Sequence, residues 1–557
     1  MAGLATAFGS GAMTNSIDDI ADDAQAFFVI GTNTTQNHPV IGMRIRQAVR
    51  KRGAKLIVAD PRKIDLTKFA VLHLRHKPGT DIALVNGLMN IILSNSWENK
   101  EFIKTRTEGF DDFKAVVDEY TPERVAEITG VSVEDLRQAA EILSQNKPTA
   151  VLWAMGITQH ITGVGNVMSL ANLQMLLGNM GVPGGGTNPL RGQNNVQGAC
   201  DLGGLPNVYP GYQKVTNPEI RKEYAQAWGL QEEQLSLELG LTATEMMPLA
   251  LEGKQKAIYI LGEDPLMSEP DTNHIRQAME KYELVILQEI FPSETAPYAD
   301  ILLPGASFAE KNGTFTNTER RIQYVRKAVK SPGIARPDWW IISELAKKIL
   351  EEGNRQVSEA VYSGWEYQDT AQIMDEIAAL TPIYAGVTHK RLLEGESLQW
   401  PVKDKEHPGT PILHVGQFSR GKGLFNPVEH VPPAELPDKD YPMILSTGRV
   451  LYHWHGGQMT RRSKGLLEIY PEALIEVNDF DAEKIGLNGN KRVKVTSRRG
   501  TIEAEATVTD RVPPGMVYAN FHFPEASANE LTIAALDPVA KIPEYKVCAV
   551  KVEAISK

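Results

Sequence analysis

Short apolar runs that end in glycine, asparagine or aspartate recur through the first two thirds of the chain. A strand of a parallel sheet is typically such a run, because helices cover both of its faces. Two sets of three runs therefore predict two parallel sheets. The first set lies at 26–33, 54–63 and 149–156, and the second at 256–265, 283–291 and 299–305.

Helical patterns separate these runs. Apolar residues recur at helical spacing in 81–97 and again in 164–180. A third helix is predicted over 337–353, which starts with Pro337 and Asp338 and stops at Gly353. Alternating strands and helices predict an α/β protein with two doubly wound, dinucleotide-binding-like domains.

The pattern changes at Tyr441, after a region rich in proline, glycine and charge. Closely spaced strands follow, with a hairpin turn at 498–500 and a short helix over 478–487 capped by Asn478 or Asp479. These features predict a C-terminal β-barrel of six to seven strands. The predicted domains are a first α/β domain at 1–192, a second at 193–353, a connecting region at 354–440 and the barrel at 441–557.

Polar residues and glycines follow the predicted strands, and ligands of open parallel sheets bind beyond the carboxyl ends of the strands. Because loops are generally polar, a single polar turn is weak evidence for a ligand site. Polar residues at five turns favour one extended ligand. None of the turns is a complete dinucleotide fingerprint or a phosphate loop with its lysine, so ordinary NAD or ATP binding is not indicated. The five turns contain Thr32 and Asn33; Asp60, Arg62 and Lys63; Gly156 and Gln159; Gly262, Glu263 and Asp264; and Gln288 and Glu289.

Composition narrows the class of protein. The 58 basic and 69 acidic residues give a net charge of −11, which argues against nucleic acid or an anionic membrane as partner. Two cysteines exclude a disulfide framework and a four-cysteine zinc or iron–sulfur site built from this chain alone. Such sparse cysteine usage fits a cytoplasmic protein. No apolar run has the length of a membrane span, and the start "MAGLATAFGSGAM" lacks the features of a signal peptide.

The stretch "NPLRGQNNVQG" at 188–198 places one arginine, Arg191, among amides and glycines with no acidic residue close to it in sequence. A guanidinium presents a planar fork of donors that matches the two oxygens of a carboxylate. This setting suits a small carboxylate ligand. The alternative is a structural arginine that bonds backbone carbonyls in a glycine-rich loop.

The longer stretch "NPLRGQNNVQGACDLGGLP" resembles the active-site loop of the formate dehydrogenases, which are molybdenum or tungsten enzymes of the bis-molybdopterin guanine dinucleotide (DMSO reductase) family. Nitrate reductases of this family resemble the chain elsewhere but carry different residues in this loop. Further stretches that resemble the family are "MAGLATAFGSGAMTNSIDDI", "ADPRK", "GEDP", "NGTFTNTERRIQ", "STGRVLYHWHGGQMTRRS" and "IPEYKVCAVKVE".

The resemblance implies a substrate site and a cofactor site. Arg191 would hold formate, with Gln193 and Asn194 nearby. Aspartates would suit guanine edges, basic residues would suit phosphates, and no residue of the chain would ligate the metal. The pair His453 and His455 could suggest zinc, but a polar contact with the cofactor is favoured. The implied cofactor contacts are Asn33, Asp60, Arg62, Lys63, Gly156, Gln159, Gly262, Glu263, Asp264, Gln288, Asn317, Thr447, Gly448, Arg449, His453, His455, Asn529, Tyr545 and Lys546.

Family members carry a selenocysteine or cysteine, followed by histidine, just before the equivalent of "AGLATAFGSGAM", and a [4Fe-4S] domain further upstream. We therefore expect a C-terminal fragment of a formate dehydrogenase that is inactive alone, with Met1 arising from a valine codon read as a start after a selenocysteine UGA. Formate, carbon dioxide and electron-transfer subunits linked to iron–sulfur, NAD or ferredoxin chemistry are the expected partners. A non-catalytic cofactor-binding chain and another oxidoreductase, such as a nitrate reductase, are the alternatives.

Overall fold

A computed structural model describes residues 1–353, 365–487 and 491–555. The chain divides into two compact units. The predicted domain boundaries stay predictions. Unit 1 comprises Met1–Gly192, Asp264–Gln277 and Ile412–Lys557, and unit 2 comprises Gln193–Glu263 and Ala278–Pro411.

A five-stranded parallel sheet lies at the centre of the first α/β region of unit 1. Its strand order is β3-β2-β1-β4-β5, and every residue of β1 and β4 is buried. Phe28 and Ile30 of β1 belong to one apolar core, whereas Phe27 and Val29 belong to another, so both faces of the sheet are covered. The strands are β1 (Ala26–Ile30), β2 (Lys55–Ala59), β3 (Leu72–Leu74), β4 (Thr149–Trp153) and β5 (Thr187–Pro189).

Helices flank this sheet, and the two predicted from periodicity are present. The predicted segments 81–97 and 164–180 form helices over Asp81–Ser94 and Gly163–Leu177. The other helices of this region are Ala2–Phe8, Ile17–Asp23, Thr34–Asn37, Pro39–Arg52, Lys100–Arg106, Phe110–Asp118, Pro122–Thr129, Val133–Gln145 and Met155–Thr158.

Unit 2 contains a second parallel sheet, with strand order β8-β7-β6, and a small antiparallel sheet, with strand order β9-β10-β11. Tyr259, Leu261 and Leu284 of the parallel sheet are partly exposed, so this sheet is less fully covered than the first. The strands are β6 (Ala257–Leu261), β7 (Leu284–Glu289), β8 (Ile301–Pro304), β9 (Gly313–Thr316), β10 (Arg321–Val325) and β11 (Leu398–Gln399).

The helix predicted over 337–353 is found in unit 2 at Asp338–Glu352, directly after Pro337. The predicted connecting region, 354–440, lies partly outside the described residues. The other helices of this unit are Val196–Asp201, Pro218–Ala227, Ala243–Leu251, Thr370–Leu380 and His389–Leu393.

The C-terminal part of unit 1 is a closed six-stranded barrel with strand order β12-β16-β13-β15-β14-β17. A turn with a hydrogen bond from the backbone nitrogen of Ser497 to the carbonyl oxygen of Gly500 joins β14 to β15, as predicted. The predicted short helix spans Asp479–Lys484, and the side chain of Asn478 caps it. The strands are β12 (Met443–Gly448), β13 (Leu474–Val477), β14 (Arg492–Thr496), β15 (Thr501–Val508), β16 (Met516–Asn520) and β17 (Cys548–Ala554).

The predicted fold class, α/β regions followed by a C-terminal barrel of six to seven strands, is confirmed. None of the helices in the described part of the chain has the length and apolar character of a membrane-spanning segment.

Candidate functional site

A run of buried polar side chains follows β1 in unit 1. Among the described residues, neither amide atom of Asn33 and neither hydroxyl of Thr32 and Thr34 has a hydrogen-bond partner. The same holds for Gln36 Oε1 and His38 Nδ1. Each buried polar atom left without a partner costs about 1–3 kcal/mol, so such a concentration indicates a site for a ligand rich in hydrogen-bonding groups.

Arg191 lies beside this run. His38 Nε2 is 2.7 Å from the backbone carbonyl oxygen of Arg191, and Arg191 Nη2 donates to the carbonyl oxygen of Gly11 at 3.3 Å. Burial, with a smaller contribution from the positive charge of Arg449, lowers the pKa of His38 to about 4, although the hydrogen bond to the Arg191 backbone opposes the change. His38 is therefore neutral at pH 7, and its Nε2–H donates to the loop that carries Arg191.

The loop after β12 reaches the same region. Arg449 Nη1 donates to the carbonyl oxygen of Gly192 at 3.1 Å, and the Arg449 guanidinium lies 5.1 Å from the ring centroid of Trp454. Burial lowers the pKa of His455 to about 4, and Arg449 contributes to this shift. Arg191, Arg449 and two neutral histidines thus lie in one part of unit 1.

Lys546 lies partly buried in this region too. Its Nζ donates to the carbonyl oxygen of Thr447 at 2.7 Å, and the Thr447 hydroxyl donates to the carbonyl oxygen of Tyr545 at 2.9 Å. Burial and, to a smaller extent, the charge of Arg449 lower the pKa of Lys546 to about 7, although Asp60 opposes the change. A bound anion would favour the charged form of Lys546, as expected of a site for phosphate.

Asp60 directly follows β2 and is partly buried. Its Oδ1 accepts a hydrogen bond from the backbone nitrogen of Arg62 at 2.9 Å. Burial raises the pKa of Asp60, although this hydrogen bond and the nearby His76 and Arg62 oppose the rise. A carboxyl group in this setting can accept hydrogen bonds from a ligand such as a guanine edge.

Asp264, Asn529 and Tyr545 gather around the short helix Pro265–Ser268 of unit 1. Gln458 donates to the Asp264 carboxylate. Asn529 Nδ2 donates to the carbonyl oxygen of Met267 at 2.7 Å, and the Tyr545 hydroxyl donates to that of Ser268 at 2.8 Å. Asn529 and Tyr545, two of the predicted cofactor contacts, therefore hold in place the helix that directly follows Asp264, a third predicted contact.

Gly156 and Gln159 occupy the turn after β4. A Cβ atom at Gly156 would lie 2.5 Å from the backbone oxygen of Gly31, so only glycine allows the turns after β1 and β4 to approach this closely. Gln159 is half-buried, and Gly448 ends β12 against the ring of Tyr518.

Three predicted cofactor contacts in unit 1 already have protein partners. Arg62 pairs with Glu476 through two hydrogen bonds, and Lys63 Nζ lies 2.7 Å from Asp510. His453 contacts Thr460 at 3.1 Å through Nδ1 and the carbonyl oxygen of Tyr470 at 2.7 Å through Nε2. These contacts favour structural roles, and cofactor binding by the three residues stays a prediction.

The remaining predicted residues belong to unit 2. Gln193, Asn194 and Glu263 are exposed, and Gly262 adopts φ +61° beside open space. Gln288 Nε2 donates to Asp338 at 2.7 Å. Asn317 Oδ1 accepts hydrogen bonds from the backbone nitrogens of Glu319 and Arg321, so it orders a turn.

The loop that follows Arg191 ends at a buried carboxylate that the sequence did not single out. Asp201 accepts hydrogen bonds from Gln197 at 2.8 Å and from Trp400 Nε1 at 2.7 Å. It also accepts from the hydroxyls of Tyr212 at 2.6 Å and Tyr384 at 2.9 Å. Four donors thus fix the helix Val196–Asp201, which begins two residues after Asn194.

The sequence did not single out His38, Gln458 or His522 either. His522 Nε2 accepts a hydrogen bond from the backbone nitrogen of Val450 at 3.0 Å, and its Nδ1 bonds to the carbonyl oxygen of His455, which orders the loop after β12. The polar run "TNTTQNH" at 32–38 is a signal that could have identified His38.

Within residues 1–353, 365–487 and 491–555, no group of three His, Cys, Asp or Glu side chains is arranged to hold a metal. Cys200 and Cys548 are buried and form no disulfide within the described residues. Burial raises the pKa of the Cys548 thiol to about 12, so this cysteine is unreactive.

Two family models match the chain. The molybdopterin oxidoreductase model matches residues 3–348, and the molydopterin dinucleotide binding domain model matches residues 443–549. The chain is 47% identical to F420-dependent formate dehydrogenase 1 subunit alpha of Methanococcus maripaludis, over 99% of this chain and 80% of that protein. It is 40% identical to formate dehydrogenase H of Escherichia coli, over 100% of this chain and 76% of that protein.

Among solved structures, acetylene hydratase from Pelobacter acetylenicus is similar in fold, with a TM-score of 0.75 at 18% identity. The match covers 100% of this chain and 80% of that one.

Proposed function

The chain belongs to the molybdopterin oxidoreductase family, and we propose that it interconverts formate and carbon dioxide as the catalytic chain of a formate dehydrogenase. The observation that carries the proposal is the similarity to formate dehydrogenase alpha subunits at 46–47% identity over 99% of the chain. Arg191 adds chemical support, since it lies in unit 1 beside a pocket of buried polar atoms and can bind a carboxylate.

We propose bis-molybdopterin guanine dinucleotide, with molybdenum or tungsten, as the cofactor. The residues present in unit 1 fit this group, because buried polar atoms of Thr32, Asn33 and Gln36 have no hydrogen-bond partner among the described residues. Asp60 and Asp264 suit guanine edges, and Arg449 and Lys546 suit phosphates. When bound, the metal–pterin group takes the two electrons that formate releases.

The chain's own residues would orient the substrate. The guanidinium of Arg191 binds the two formate oxygens, which directs the C–H bond away from Arg191. His38 holds the backbone of Arg191 through its Nε2–H and, because it is neutral, does not compete for the carboxylate. Gln193 and Asn194, which are exposed in unit 2, are proposed to contact the substrate or product.

Electrons would leave through a [4Fe-4S] cluster to an iron–sulfur, NAD-linked or ferredoxin-linked partner subunit. The two cysteines of this sequence cannot supply such a cluster by themselves. We propose a cytoplasmic location, which rests on the low cysteine content.

The test is anoxic purification of the protein from its natural host, with metal analysis, pterin analysis and dye-linked assays for formate oxidation and nitrate reduction. We expect one molybdenum or tungsten with two guanine nucleotides, and formate-dependent dye reduction. Nitrate reduction without formate oxidation would support another oxidoreductase of the family. Cofactor retention without either activity would support a cofactor-binding chain.

A further inference from the structure

Four ionisable side chains form a buried row in unit 1, below the turns after β3 and β4. His76, Asp81, His160 and Glu544 are each at most 3% exposed. His76 Nε2 is 3.0 Å from Asp81 Oδ1, Asp81 Oδ2 is 4.0 Å from His160 Nε2, and His160 Nδ1 is 3.4 Å from Glu544 Oε1. A hydrophobic core does not require ionisable side chains, so the presence of this row calls for a chemical explanation.

The contact between His160 and Glu544 requires a proton. His160 Nε2 lies 2.9 Å from the carbonyl oxygen of Gly156 and therefore carries a hydrogen. Nδ1 lies 3.4 Å from Glu544 Oε1, and neither atom has a hydrogen-bond partner among the described residues. Two lone pairs at this distance in a buried setting would repel each other, whereas one proton between them makes a hydrogen bond. The other carboxylate oxygen, Oε2, accepts from the backbone nitrogen of Ala434 at 2.8 Å.

The other end of the row is charged. His76 Nδ1 faces the carbonyl oxygen of Leu74 at 3.4 Å, and Nε2 faces Asp81, so both ring nitrogens face acceptors. Burial lowers the pKa of His76, but Asp81 and Asp60 outweigh it and leave the pKa raised. Burial likewise raises the pKa of Asp81, and His76 and His160 outweigh it and leave the pKa lowered.

One end of the row is adjacent in sequence to residues that are proposed to contact the cofactor. His160 directly follows Gln159, and Glu544 directly precedes Tyr545 and Lys546. On the outer side, His430 is partly exposed and close enough to Asp81 for the carboxylate to act on its pKa, which burial lowers and which Arg124 lowers further. An inner and an outer end are thus both occupied by groups that can bind and release protons.

We propose that His160 and Glu544 share one proton and that the row Glu544–His160–Asp81–His76, with His430 as its outlet, carries protons between the active site and solvent. The proposal rests on the proposed formate chemistry. When the C–H bond of formate breaks, two electrons pass to the metal–pterin group and then to the electron acceptor, carbon dioxide leaves, and one proton remains. That proton enters at Glu544 and His160, and a proton leaves from His430. Reduction of carbon dioxide uses the row in the opposite direction.

The shared proton is tested on the full wild-type chain without cofactor. Infrared spectroscopy detects a protonated carboxyl group, and ¹⁵N-histidine resonances detect an imidazolium ring. We expect one of these signals to disappear in Glu544→Gln, and the ring signal of His160 to change in the same variant. Signals that are identical in wild type and Glu544→Gln would show that no proton is shared, and would overturn the proposal.

Transport is tested on the cofactor-loaded enzyme with Glu544→Gln and His160→Gln. We expect kcat for formate oxidation to fall at least about tenfold, with KM for formate unchanged and a larger solvent deuterium isotope effect. Asp481→Asn is the matched control, because Asp481 is also a buried carboxylate that accepts from a backbone nitrogen, that of Gly515 at 2.7 Å, but lies in the barrel outside the row.

Unchanged kcat and isotope effect in both variants would leave the row a static ion-pair network and overturn proton transport. If neither variant folds, the test is the solvent isotope effect of the wild-type enzyme, measured as a function of pH. A solvent isotope effect of one at every pH would overturn the proposal. A wild-type enzyme with no formate oxidation would instead overturn the proposed function, while the infrared result still decides whether the proton is shared.

Discussion

His38 Nε2 lies 2.7 Å from the backbone carbonyl oxygen of Arg191, across 153 residues of sequence. This hydrogen bond joins the segment after β1 to the loop after β5, and so joins the polar run at 32–38 to the residue proposed to bind formate. Because burial keeps His38 neutral at pH 7, the contact fixes the loop without adding a second cation beside the carboxylate.

Arg191→Lys should raise KM for formate. Lysine keeps the positive charge but loses the two-pronged donor geometry, and the expected loss of binding is about 2–3 kcal/mol. Steady-state kinetics of the loaded enzyme measure it. Arg420→Lys is the control, since Arg420 forms an ion pair with Glu108 at 2.8 Å on the surface of the same unit, and its kinetics should match the wild type. Equal KM values for Arg191→Lys and wild type would remove Arg191 from the substrate site.

The cofactor-free chain should lose stability as the pH falls from about 6.5 to 4. Burial lowers the pKa of His38 and of His455 to about 4 and that of His522 to about 3, against about 6.5 in the unfolded chain. The unfolded state therefore binds more protons than the folded state in this window, and the free energy of unfolding decreases as the pH decreases.

His38→Gln should reduce that decrease by up to about 3 kcal/mol, from a pKa difference of about 2.5. Urea unfolding at pH 7 and at pH 4.5, followed by circular dichroism, measures the free energy of unfolding at each pH. If the two proteins lose the same free energy between these pH values, His38 is not the buried neutral group that the structure shows.

Lys546→Met should stabilise the cofactor-free chain and weaken cofactor retention. Burial lowers the pKa of Lys546 to about 7, below the unfolded value of about 10.4, so the unfolded state binds more protons between these values and stability falls as the pH drops to 7. Removal of the amine removes this cost but leaves the carbonyl oxygen of Thr447 without its donor. We expect a net gain of about 2–3 kcal/mol at pH 7.

Urea unfolding and pterin content measure the two effects of Lys546→Met. Lys551→Met is the control, because Lys551 is half-exposed in β17 and pairs only with Glu553, so both quantities should change little. A destabilised Lys546→Met chain that retains its cofactor would contradict the assignment of Lys546 to an anion site.

Asp201→Asn should destabilise unit 2 and impair the loop at 193–195. Four side chains donate to the Asp201 carboxylate, and an amide offers one acceptor oxygen and brings two donors of its own. Unsatisfied buried donors make the expected loss about 2–4 kcal/mol. Thermal unfolding and KM for formate are the measurements. Asp375→Asn, on an exposed helical position of the same unit, should leave both unchanged.

Much of the fold could be predicted from the apolar pattern. All six apolar runs contain strands. Full burial explains the apolar runs of β1 and β4, whereas β6 and β8 are apolar although they are largely exposed. Two strands of the first sheet, β3 and β5, were not predicted, since three residues each are too short to show a period. The barrel was predictable because its strands alternate regularly and a tight turn separates β14 from β15.

The site was harder to predict from the sequence, because its contacts join residues that are far apart along the chain. Arg62 suits a phosphate in sequence, but Glu476, 414 residues away, occupies its guanidinium. Asp201 is an ordinary aspartate in sequence, and two of its donors, Tyr384 and Trp400, lie about 200 residues further on. Local sequence patterns do not reveal such pairings. The loop around Arg191 could be interpreted because its functional side chains lie in one short stretch.

The order of the chain determines when the pocket is complete. Unit 1 needs both the first 192 residues and the barrel, whose last strand, β17, begins two residues after Lys546. During translation, the polar run after β1 and Arg191 therefore leave the ribosome more than 250 residues before Thr447, Tyr545 and Lys546. We expect the proposed cofactor to bind tightly only after the barrel has been synthesised, because the residues that complete its site are absent until then.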